Sequence, residues 1–225
     1  MALKPINIDT SNRFTAMVIG PAGIGKTSLI KTIPNDEKVC VLSAEAGLLC
    51  IRDLVRSGKV EGYEISSFAE MSEAYNLLVQ NDEMKKRYKW VFIDSLTEIS
   101  ARCVEAMKAK YPNKADSFAL WGEYNDIMTG LIKGFRDLKD YNVVFTCLDQ
   151  SEKDELNRRF VGAQISGSAL KDRLISYFDE VFYYSFLKAQ DGSDYRALSL
   201  NLMIVFRQKT AQESFHSSKN QTLLQ

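Results

Sequence analysis

One glycine-rich segment constrains the fold of this chain more than any other feature. Residues 20–27 read G-P-A-G-I-G-K-T and fit the phosphate-binding pattern G-x-x-x-x-G-K-[ST]. An apolar, partly β-branched run at residues 14–19 precedes the segment, and residues 28–31 can continue a helix. A loop of this kind between a buried strand and a helix predicts an α/β fold built on a parallel sheet.

The residues of this phosphate-binding loop, called the P-loop below, have separate expected roles. Its glycines permit backbone angles that let successive N–H groups converge on phosphate oxygens at the positive end of a helix. Lys26 adds a positive charge on the outer phosphates, and Thr27 offers a hydroxyl ligand to Mg²⁺. The predicted nucleotide-binding residues are Gly20, Pro21, Ala22, Gly23, Ile24, Gly25, Lys26, Thr27 and Ser28.

Composition limits the number of domains and the kind of partner. The chain has 225 residues, of which 45% are hydrophobic and 26% charged, which suits one α/β domain with a sizeable core. Basic and acidic residues number 29 each, so no overall positive field would recruit nucleic acid or an anionic membrane. We therefore predict a single domain over residues 1–200 and expect any DNA contact to be local.

The cysteines and the N-terminus indicate a cytoplasmic protein. Cys40, Cys50, Cys103 and Cys147 lie far apart without a C-x-x-C pair, which predicts reduced, buried thiols. The single histidine, His216, excludes a histidine-rich zinc site. No apolar run reaches the roughly 18 residues that a membrane span needs, and M-A-L-K-P-I-N-I-D lacks the apolar core of a signal peptide.

Strands and helices alternate along most of the chain. Apolar runs predict strands at residues 14–19, 39–43, 63–65 (near an edge), 90–93, 143–147, 181–184 and 195–200. Ser67 with Glu70, and Ser95 with Glu98, form capping signals for two helices, and Leu96, Ile99, Cys103 and Met107 of the second helix are expected to face the core. Helical periodicity recurs over residues 121–138, where the apolar stripe is expected to include Trp121, and over residues 170–178. This order predicts a mainly parallel sheet flanked by helices, with a C-terminal β-hairpin turned by D-G at residues 191–192.

Two acidic residues follow predicted strands at positions where catalytic groups gather. Asp94 ends the strand at residues 90–93, where it is a candidate Mg²⁺ partner for Thr27, although such an aspartate is often only a helix cap or turn. Glu45 follows the strand at residues 39–43, and its carboxylate is a candidate base for the attacking water. The alternative for Glu45 is a solvated loop carboxylate.

Further polar residues are weaker candidates. Asp149 and Gln150 follow the strand at residues 143–147, where either could sense the γ-phosphate through hydrogen bonds, and Gln150 is predicted to act there with Lys26 and Glu45. Lys171 or Arg173 could reach the phosphate of a neighbouring subunit as an arginine finger does, although a solvated helix face explains both as well. Between these groups, charged residues 151–168 predict a protruding loop or small hairpin, the segment that we expect to be most mobile.

Taken together, these motifs resemble the RecA-like P-loop ATPases, and within them phage nucleotide-binding proteins that include single-strand annealing or recombination proteins. The resemblance rests on G-P-A-G-I-G-K-T-S, on V-L-S-A-E-A-G-L with Glu45 at the family's catalytic glutamate, and on V-F-I-D-S with Asp94. It covers roughly residues 14–200. It implies a RecA-like fold, ATP and Mg²⁺ as cofactors, and hydrolysis of ATP that depends on DNA.

The resemblance also implies partners. In that family a polar sensor is followed by a DNA-facing loop, for which Lys153, Arg158 and Arg159 are the candidates here. It implies action on single-stranded DNA in phage recombination or replication, as a homo-oligomer in the cytoplasm of a bacterial host, and a single-stranded-DNA-binding protein as a further partner. No membrane partner is expected.

The C-terminal tail, residues 201–225, departs from that family. Related phage proteins tend to carry a K-D-R element there, whereas this chain continues L-M-I-V-F-R-Q-K after Asn201. Allowed codons for the tail, shifted by one base, read N-P-Y-D-S-F-Q-A-K-D-R-T-G-K-L-P. We hypothesise a one-base deletion after Asn201, expect residues 203–225 to be poorly ordered, and assign no site there; codons incompatible with the shifted reading would contradict this.

Two other functions remain open from the sequence. A P-loop phosphotransferase such as a nucleotide kinase shares this size and loop, although Glu45 favours water as the nucleophile. A nucleotide-gated adaptor would bind ATP and recruit a partner without turnover. Transfer of phosphate to a nucleoside monophosphate, or tight ATP binding with only background hydrolysis, would distinguish these from an ATPase.

Overall fold

A central β-sheet carries the fold, and the computed structural model describes residues 13–45, 47–153 and 159–200. Its strands are β1 (Thr15–Gly20), β2 (Val39–Ser43), β3 (Val60–Glu64), β4 (Trp90–Asp94), β5 (Asn142–Lys153), β6 (Arg159–Ala163), β7 (Glu180–Lys188) and β8 (Asp194–Leu200). In space they follow the order β3-β2-β4-β5-β1-β7-β8, and β6 pairs with β5. The strand predicted near an edge, β3, does lie at one.

Parallel pairing dominates this sheet, as the sequence predicts. β1 runs parallel to β5 on one side and to β7 on the other, and β2 runs parallel to β3 and β4. β4 and β5 are also parallel, so the carboxyl ends of β1, β2, β4 and β5 meet at one edge. Only the pairs β5–β6 and β7–β8 are antiparallel among the described strands. The chain therefore brings together residues that follow strands far apart in sequence.

Helices cover both faces of the sheet. The α-helices are α1 (Arg52–Arg56), α2 (Phe68–Gln80), α3 (Asp82–Arg87), α4 (Leu96–Lys110), α5 (Ser117–Arg136) and α6 (Ser168–Leu174). Short 3₁₀ helices occupy Thr27–Thr32, Leu48–Ile51, Lys114–Asp116 and Ile175–Tyr177. The helix predicted after the P-loop is thus a six-residue 3₁₀ helix, because Ile33 is already extended and Pro34 follows it.

Both predicted N-caps are present. The hydroxyl oxygen of Ser67 accepts a hydrogen bond from the Glu70 amide at 3.3 Å, and that of Ser95 accepts one from the Glu98 amide at 3.4 Å. The Glu70 carboxylate returns a contact to the Ser66 amide at 2.6 Å, which completes the first cap. These caps fix where α2 and α4 begin, directly after the carboxyl ends of β3 and β4.

Apolar side chains fill two layers, one on each face of the sheet. The larger layer includes the inward face of α4, predicted from its spacing and buried as expected: Leu96, Ile99, Cys103 and Met107. The smaller layer packs Ile30 and Ile33, from the segment after the P-loop, against Val18, Val41 and Val144 of the strands. The P-loop is therefore anchored on the face opposite α4 and α5.

Two sequence predictions about burial are wrong in part. Trp121 remains 38% exposed, since the apolar stripe of α5 runs through Leu120, Tyr124, Met128, Ile132 and Phe135 instead. Cys50 is exposed, while the other three cysteines are buried as predicted. Cys50 lies in a short 3₁₀ helix outside the strands, where no layer covers it.

The charged region after β5 forms a hairpin, one of the two forms predicted for it. β5 extends to Lys153 and pairs with β6, with Lys153 opposite Arg159. Arg158, the side chains of Lys153 and Arg159, and the tail at 201–225 lie outside the described residues. In the part of the chain that is described, no helix is long and apolar enough to cross a membrane.

Candidate functional site

The P-loop joins the carboxyl end of β1 to the 3₁₀ helix at Thr27–Thr32. Gly23 and Gly25 have φ angles of 74° and 105°, which side chains disfavour. Gly20 is required for a different reason, since a Cβ at this position would collide with the carbonyl oxygen of Tyr184 on β7. The glycine spacing that marks the loop in sequence thus corresponds to backbone geometry and to close packing of β7.

Lys26 lies folded over the P-loop and is only 8% exposed. Its Nζ donates to the carbonyl oxygens of Gly20 at 2.7 Å and Pro21 at 3.0 Å. Burial lowers the pKa of Lys26 from its usual range, and the negative charges of Glu45 and Asp94 oppose that shift. A phosphate would give this ammonium the full counter-charge that two carbonyls do not supply.

Asp94 lies beside Thr27, as the sequence predicts. The carboxylate is buried, at 4% exposure, and Oδ2 accepts a hydrogen bond from the Thr27 hydroxyl at 2.7 Å. The Thr146 hydroxyl of β5 donates to the other oxygen, Oδ1. The peptide bond between Asp94 and Ser95 is cis. Two threonines therefore hold both carboxylate oxygens in fixed directions, one from the P-loop and one from the adjacent strand.

The residues around Asp94 fit a magnesium ion that arrives with a nucleotide. Ser43 pairs with Asp94 across β2 and β4, and its buried hydroxyl has no hydrogen-bond partner among the described residues. No group of three or more histidine, cysteine, aspartate or glutamate side chains is close enough to form a metal cage in the described ranges. Mg²⁺ commonly takes one or two protein oxygens and completes its shell with water and phosphate, which such a sparse set allows.

Glu45 is held near the same edge of the sheet. Its Oε1 accepts a hydrogen bond from the Ser95 hydroxyl, while its side chain stays exposed. Among the charges that raise the pKa of Lys26, that of Glu45 has the largest effect, so the carboxylate lies within electrostatic reach of the P-loop. The exposed carboxylate is therefore accessible to water and lies within electrostatic reach of Lys26.

The backbone before Glu45 is fixed as well. The Ala44 amide donates to the Asp94 carbonyl oxygen at 2.7 Å, and Nη2 of Arg102 donates to the Ala44 carbonyl oxygen at 2.7 Å. Arg102 also bonds to the Ile65 carbonyl oxygen, which ties the ends of β2 and β3 to α4. These bonds limit the positions that Glu45 can adopt.

Asp149 and Gln150 lie at the predicted edge but on opposite faces of β5, because side chains alternate along a strand. Asp149 accepts a hydrogen bond from the Tyr183 hydroxyl at 3.0 Å. Burial and then this bond raise the pKa of Tyr183 to about 12. Gln150 shares a face with Thr146 and pairs with Gly162 in the hairpin, so its predicted sensing role stays a prediction.

Lys171 and Arg173 lie on α6, which packs against α5. Arg173 is exposed and its side chain makes no hydrogen bond or ion pair within the described residues, whereas Lys171 is half-buried. Among the described residues, no contact joins the Arg173 side chain to the P-loop of its own chain. A role for either residue at a neighbouring subunit stays a prediction.

Several residues at this edge were not predicted as site residues. Thr146 and Ser43 are polar residues in otherwise apolar strands, a signal that the sequence does contain. Ser95 was identified only as a helix cap, and Arg102 gave no signal, because its partners are backbone carbonyls of other strands.

The comparison with known families agrees with this geometry. A family model described as AAA domain matches residues 12–221 of the chain. No curated protein matches the chain. Since the match covers most of the chain, and the P-loop lies at the carboxyl end of the sheet with Thr27 bonded to Asp94, the chain belongs to the AAA domain family of P-loop NTPases.

Proposed function

We propose that this protein is a Mg²⁺-dependent ATPase of the RecA-like type that acts on single-stranded DNA. One observation carries the proposal: Lys26, Thr27, Asp94 and Glu45 come from three separate strand ends and meet at one edge of the sheet. Ligands of open α/β sheets bind at the carboxyl ends of the strands. This arrangement supports the proposal that these residues bind a γ-phosphate and activate the water that attacks it.

The chain's own residues divide the work of hydrolysis. Lys26 and the P-loop amides would bind the phosphate oxygens, which replaces the carbonyl contacts of the ammonium. Thr27 and Asp94 would hold the Mg²⁺ that accompanies the nucleotide and supplies charge neutralisation at the phosphate oxygens. Asp94 is already oriented for this by two threonine hydroxyls.

Glu45 is the proposed base. Its carboxylate would take a proton from the attacking water, whose oxygen bonds to the γ-phosphorus while the bond to the leaving ADP oxygen breaks. The Ser95 hydroxyl holds Oε1 of Glu45, which leaves the second carboxylate oxygen for the water. A glutamine at position 45 would keep the hydrogen bond from Ser95 and lose the basicity.

The proposal for single-stranded DNA rests on the resemblance to RecA-like proteins and on the basic residues Lys153, Arg158 and Arg159. Lys153 and Arg159 pair across the β5–β6 hairpin, which continues the same strand that presents Thr146 to Asp94. A DNA contact on this hairpin would thus be covalently continuous with the metal end of the site. Homo-oligomerisation and work in a bacterial host during recombination or replication belong to the same proposal.

The first test is ATP hydrolysis by the purified chain with and without single-stranded DNA, with Glu45→Gln as the matched control. We expect turnover that DNA stimulates and that falls about 10²–10⁴-fold in the variant, the usual contribution of a general base. ATP binding by the variant should persist. Binding without turnover in the wild-type chain would favour an adaptor, and transfer to a nucleoside monophosphate would favour a kinase.

The proposed DNA contact is tested by the salt dependence of DNA binding. Replacement of Arg158 and Arg159 by alanine should reduce the slope of log K against log salt by up to about 1.4, since each single-strand phosphate contact contributes about 0.7. Alanines at Lys85 and Lys86 provide a matched basic pair on α3, which leads into the amino end of β4, away from the site. An equal slope change in both variants would remove the hairpin from the DNA interface.

A further inference from the structure

The antiparallel pair of β7 and β8, called the terminal hairpin below, brings an arginine to the P-loop. A Cβ placed on Gly25 would lie 3.3 Å from Nη1 of Arg196, so the guanidinium occupies the space that the glycine leaves open. Arg196 lies on β8 directly opposite Phe186 of β7. Its guanidinium carbon stands 5.5 Å from the centroid of the Phe186 ring, in cation–π contact.

The charge of Arg196 has no counter-charge of its own. Its side chain is exposed, and within the described residues it forms no hydrogen bond or ion pair. Lys26 follows Gly25 directly and is itself cationic. Two cations beside one loop repel each other unless an anion lies near both. An anion bound at this loop would therefore relieve the repulsion between Lys26 and Arg196.

We propose that Arg196 is a second cationic ligand of the nucleotide's phosphate chain, supplied by the terminal hairpin of the same chain and supported by Phe186. The proposal rests on the function proposed above, because it needs a nucleotide in the P-loop. A guanidinium presents five N–H donors in a planar fork that matches phosphate oxygens. The aromatic ring under the guanidinium restricts its motion, which reduces the entropy lost when it binds.

The hairpin is held in position to do this. β7 runs parallel to β1 from Ala16 to Ile19, and its Tyr184 carbonyl contacts Gly20 at the start of the P-loop. Phe182 and Tyr184, on the same face as Phe186, pack against the smaller core layer under the P-loop. Arg196 is thus attached to the P-loop through a packed strand rather than through a free loop.

The experiment measures the dissociation constants of ATP, ADP and adenosine for the full chain by calorimetry in the presence of Mg²⁺. Arg196→Ala should weaken ATP roughly tenfold, the low end for a hydrogen bond to a charged group because the site is open to solvent. Adenosine, which lacks phosphates, should bind both proteins equally. Arg196→Lys should recover part of the loss, since it keeps the charge without the fork.

Lys188→Ala is the matched control. Lys188 lies on the same face of the terminal hairpin, two cross-strand pairs beyond Phe186 and Arg196, and is also exposed. The Lys188→Ala variant should bind ATP with the same dissociation constant as the wild-type chain. An equal loss in Lys188→Ala and Arg196→Ala would assign the effect to general charge and overturn the proposal, as would an unchanged ATP constant in Arg196→Ala.

One further measurement, thermal unfolding, keeps the outcomes distinct. Thermal unfolding without nucleotide should give Arg196→Ala and Arg196→Lys the wild-type transition, since the side chain is exposed on an edge strand; a variant that unfolds early is replaced by Arg196→Gln, which keeps most of the side-chain length. Failure of the wild-type chain to bind ATP would overturn the proposed function itself. Wild-type binding that Arg196 variants share unchanged would overturn only the role of Arg196.

Discussion

Replacement of Thr146 by valine tests how Asp94 is oriented. Thr146 is fully buried in β5, and its hydroxyl donates to Oδ1 of Asp94 and lies 3.4 Å from the Ile93 carbonyl oxygen. Valine keeps the branched shape, so packing changes little and the hydroxyl is the main loss. Of the two threonine hydroxyls that donate to the Asp94 carboxylate, only that of Thr27 would then remain.

The size of the effect follows from burial and charge. A hydrogen bond to a charged group contributes about 1.5–3 kcal/mol, and water cannot readily replace it at a carboxylate that is 4% exposed. We expect a loss of about 2 kcal/mol in the free energy of unfolding. For a domain of this size that corresponds to a fall of roughly 4–8 °C in Tm.

Thr15→Val is the matched control. Thr15 is also a buried strand threonine, but its hydroxyl donates to a neutral carbonyl oxygen, that of Arg136, at 3.3 Å. This variant should lose only about 1 kcal/mol. The assay is urea unfolding of both variants without nucleotide, followed by ATP binding over a series of Mg²⁺ concentrations.

The Mg²⁺ series separates a structural role from a role at the site. Thr146→Val should need more Mg²⁺ for half-maximal ATP binding, because the carboxylate of Asp94 is less well oriented, whereas Thr15→Val should match the wild-type chain. Equal losses of stability in the two variants, with one shared Mg²⁺ requirement, would refute the reasoning.

The remaining predictions concern the P-loop backbone and the thiols. Gly25→Ala should weaken ATP binding, because φ is 105° at this position and a Cβ there would meet a neighbouring guanidinium. Gly130→Ala in α5, where the space is open, should be neutral or raise stability by about 0.5–1 kcal/mol. Equal ATP affinities of the Gly25→Ala and Gly130→Ala variants would contradict this prediction. At pH 8 a thiol reagent should modify Cys50 first, since burial raises the pKa of Cys103 and Cys147 to about 11 and shields both from reagent. Prompt labelling of all cysteines in the native chain would disprove the burial.

Sequence reasoning placed the P-loop, Asp94 and Glu45 at one edge of the sheet for one physical reason. In a parallel sheet the carboxyl ends of all strands lie at the same edge, so polar residues that directly follow apolar strands must come close together. The rule needs only the strand positions and not the order of strands in space. It therefore predicts that these residues lie close together although they are separated by up to about 75 positions in the sequence.

The partners of those residues could not be predicted in the same way. Thr146 reaches Asp94 because β5 lies beside β4 with Phe145 opposite Ile93, and no local pattern specifies that register. Ser95 reaches Glu45 because β2 and β4 are neighbours, with Ser43 opposite Asp94. Such contacts depend on which strands pair, which hydrophobic periodicity alone does not determine.

Helical periodicity misplaced Trp121 for a related reason. The pattern places apolar residues on a stripe but does not determine where that stripe ends. In α5 the buried stripe passes through Leu120, so the adjacent Trp121 stays partly exposed. The helix after the P-loop is likewise short because Ile33 already adopts an extended backbone conformation, which apolar spacing does not predict.

The P-loop is held from both sides, and this bears on the hypothesis of a one-base deletion after Asn201. On one side Thr27 bonds to Asp94, and on the other the terminal hairpin contacts Gly20 and places Arg196 beside Gly25. β8, which carries Arg196, ends at Leu200, so the proposed shift in reading frame begins only beyond the residues that form the site. Nucleotide binding should therefore survive even if the tail is out of frame, while any activity that needs the K-D-R element would be lost. Restoring that frame in the gene should leave the ATP dissociation constant unchanged; an increase in affinity would show that the tail belongs to the nucleotide site.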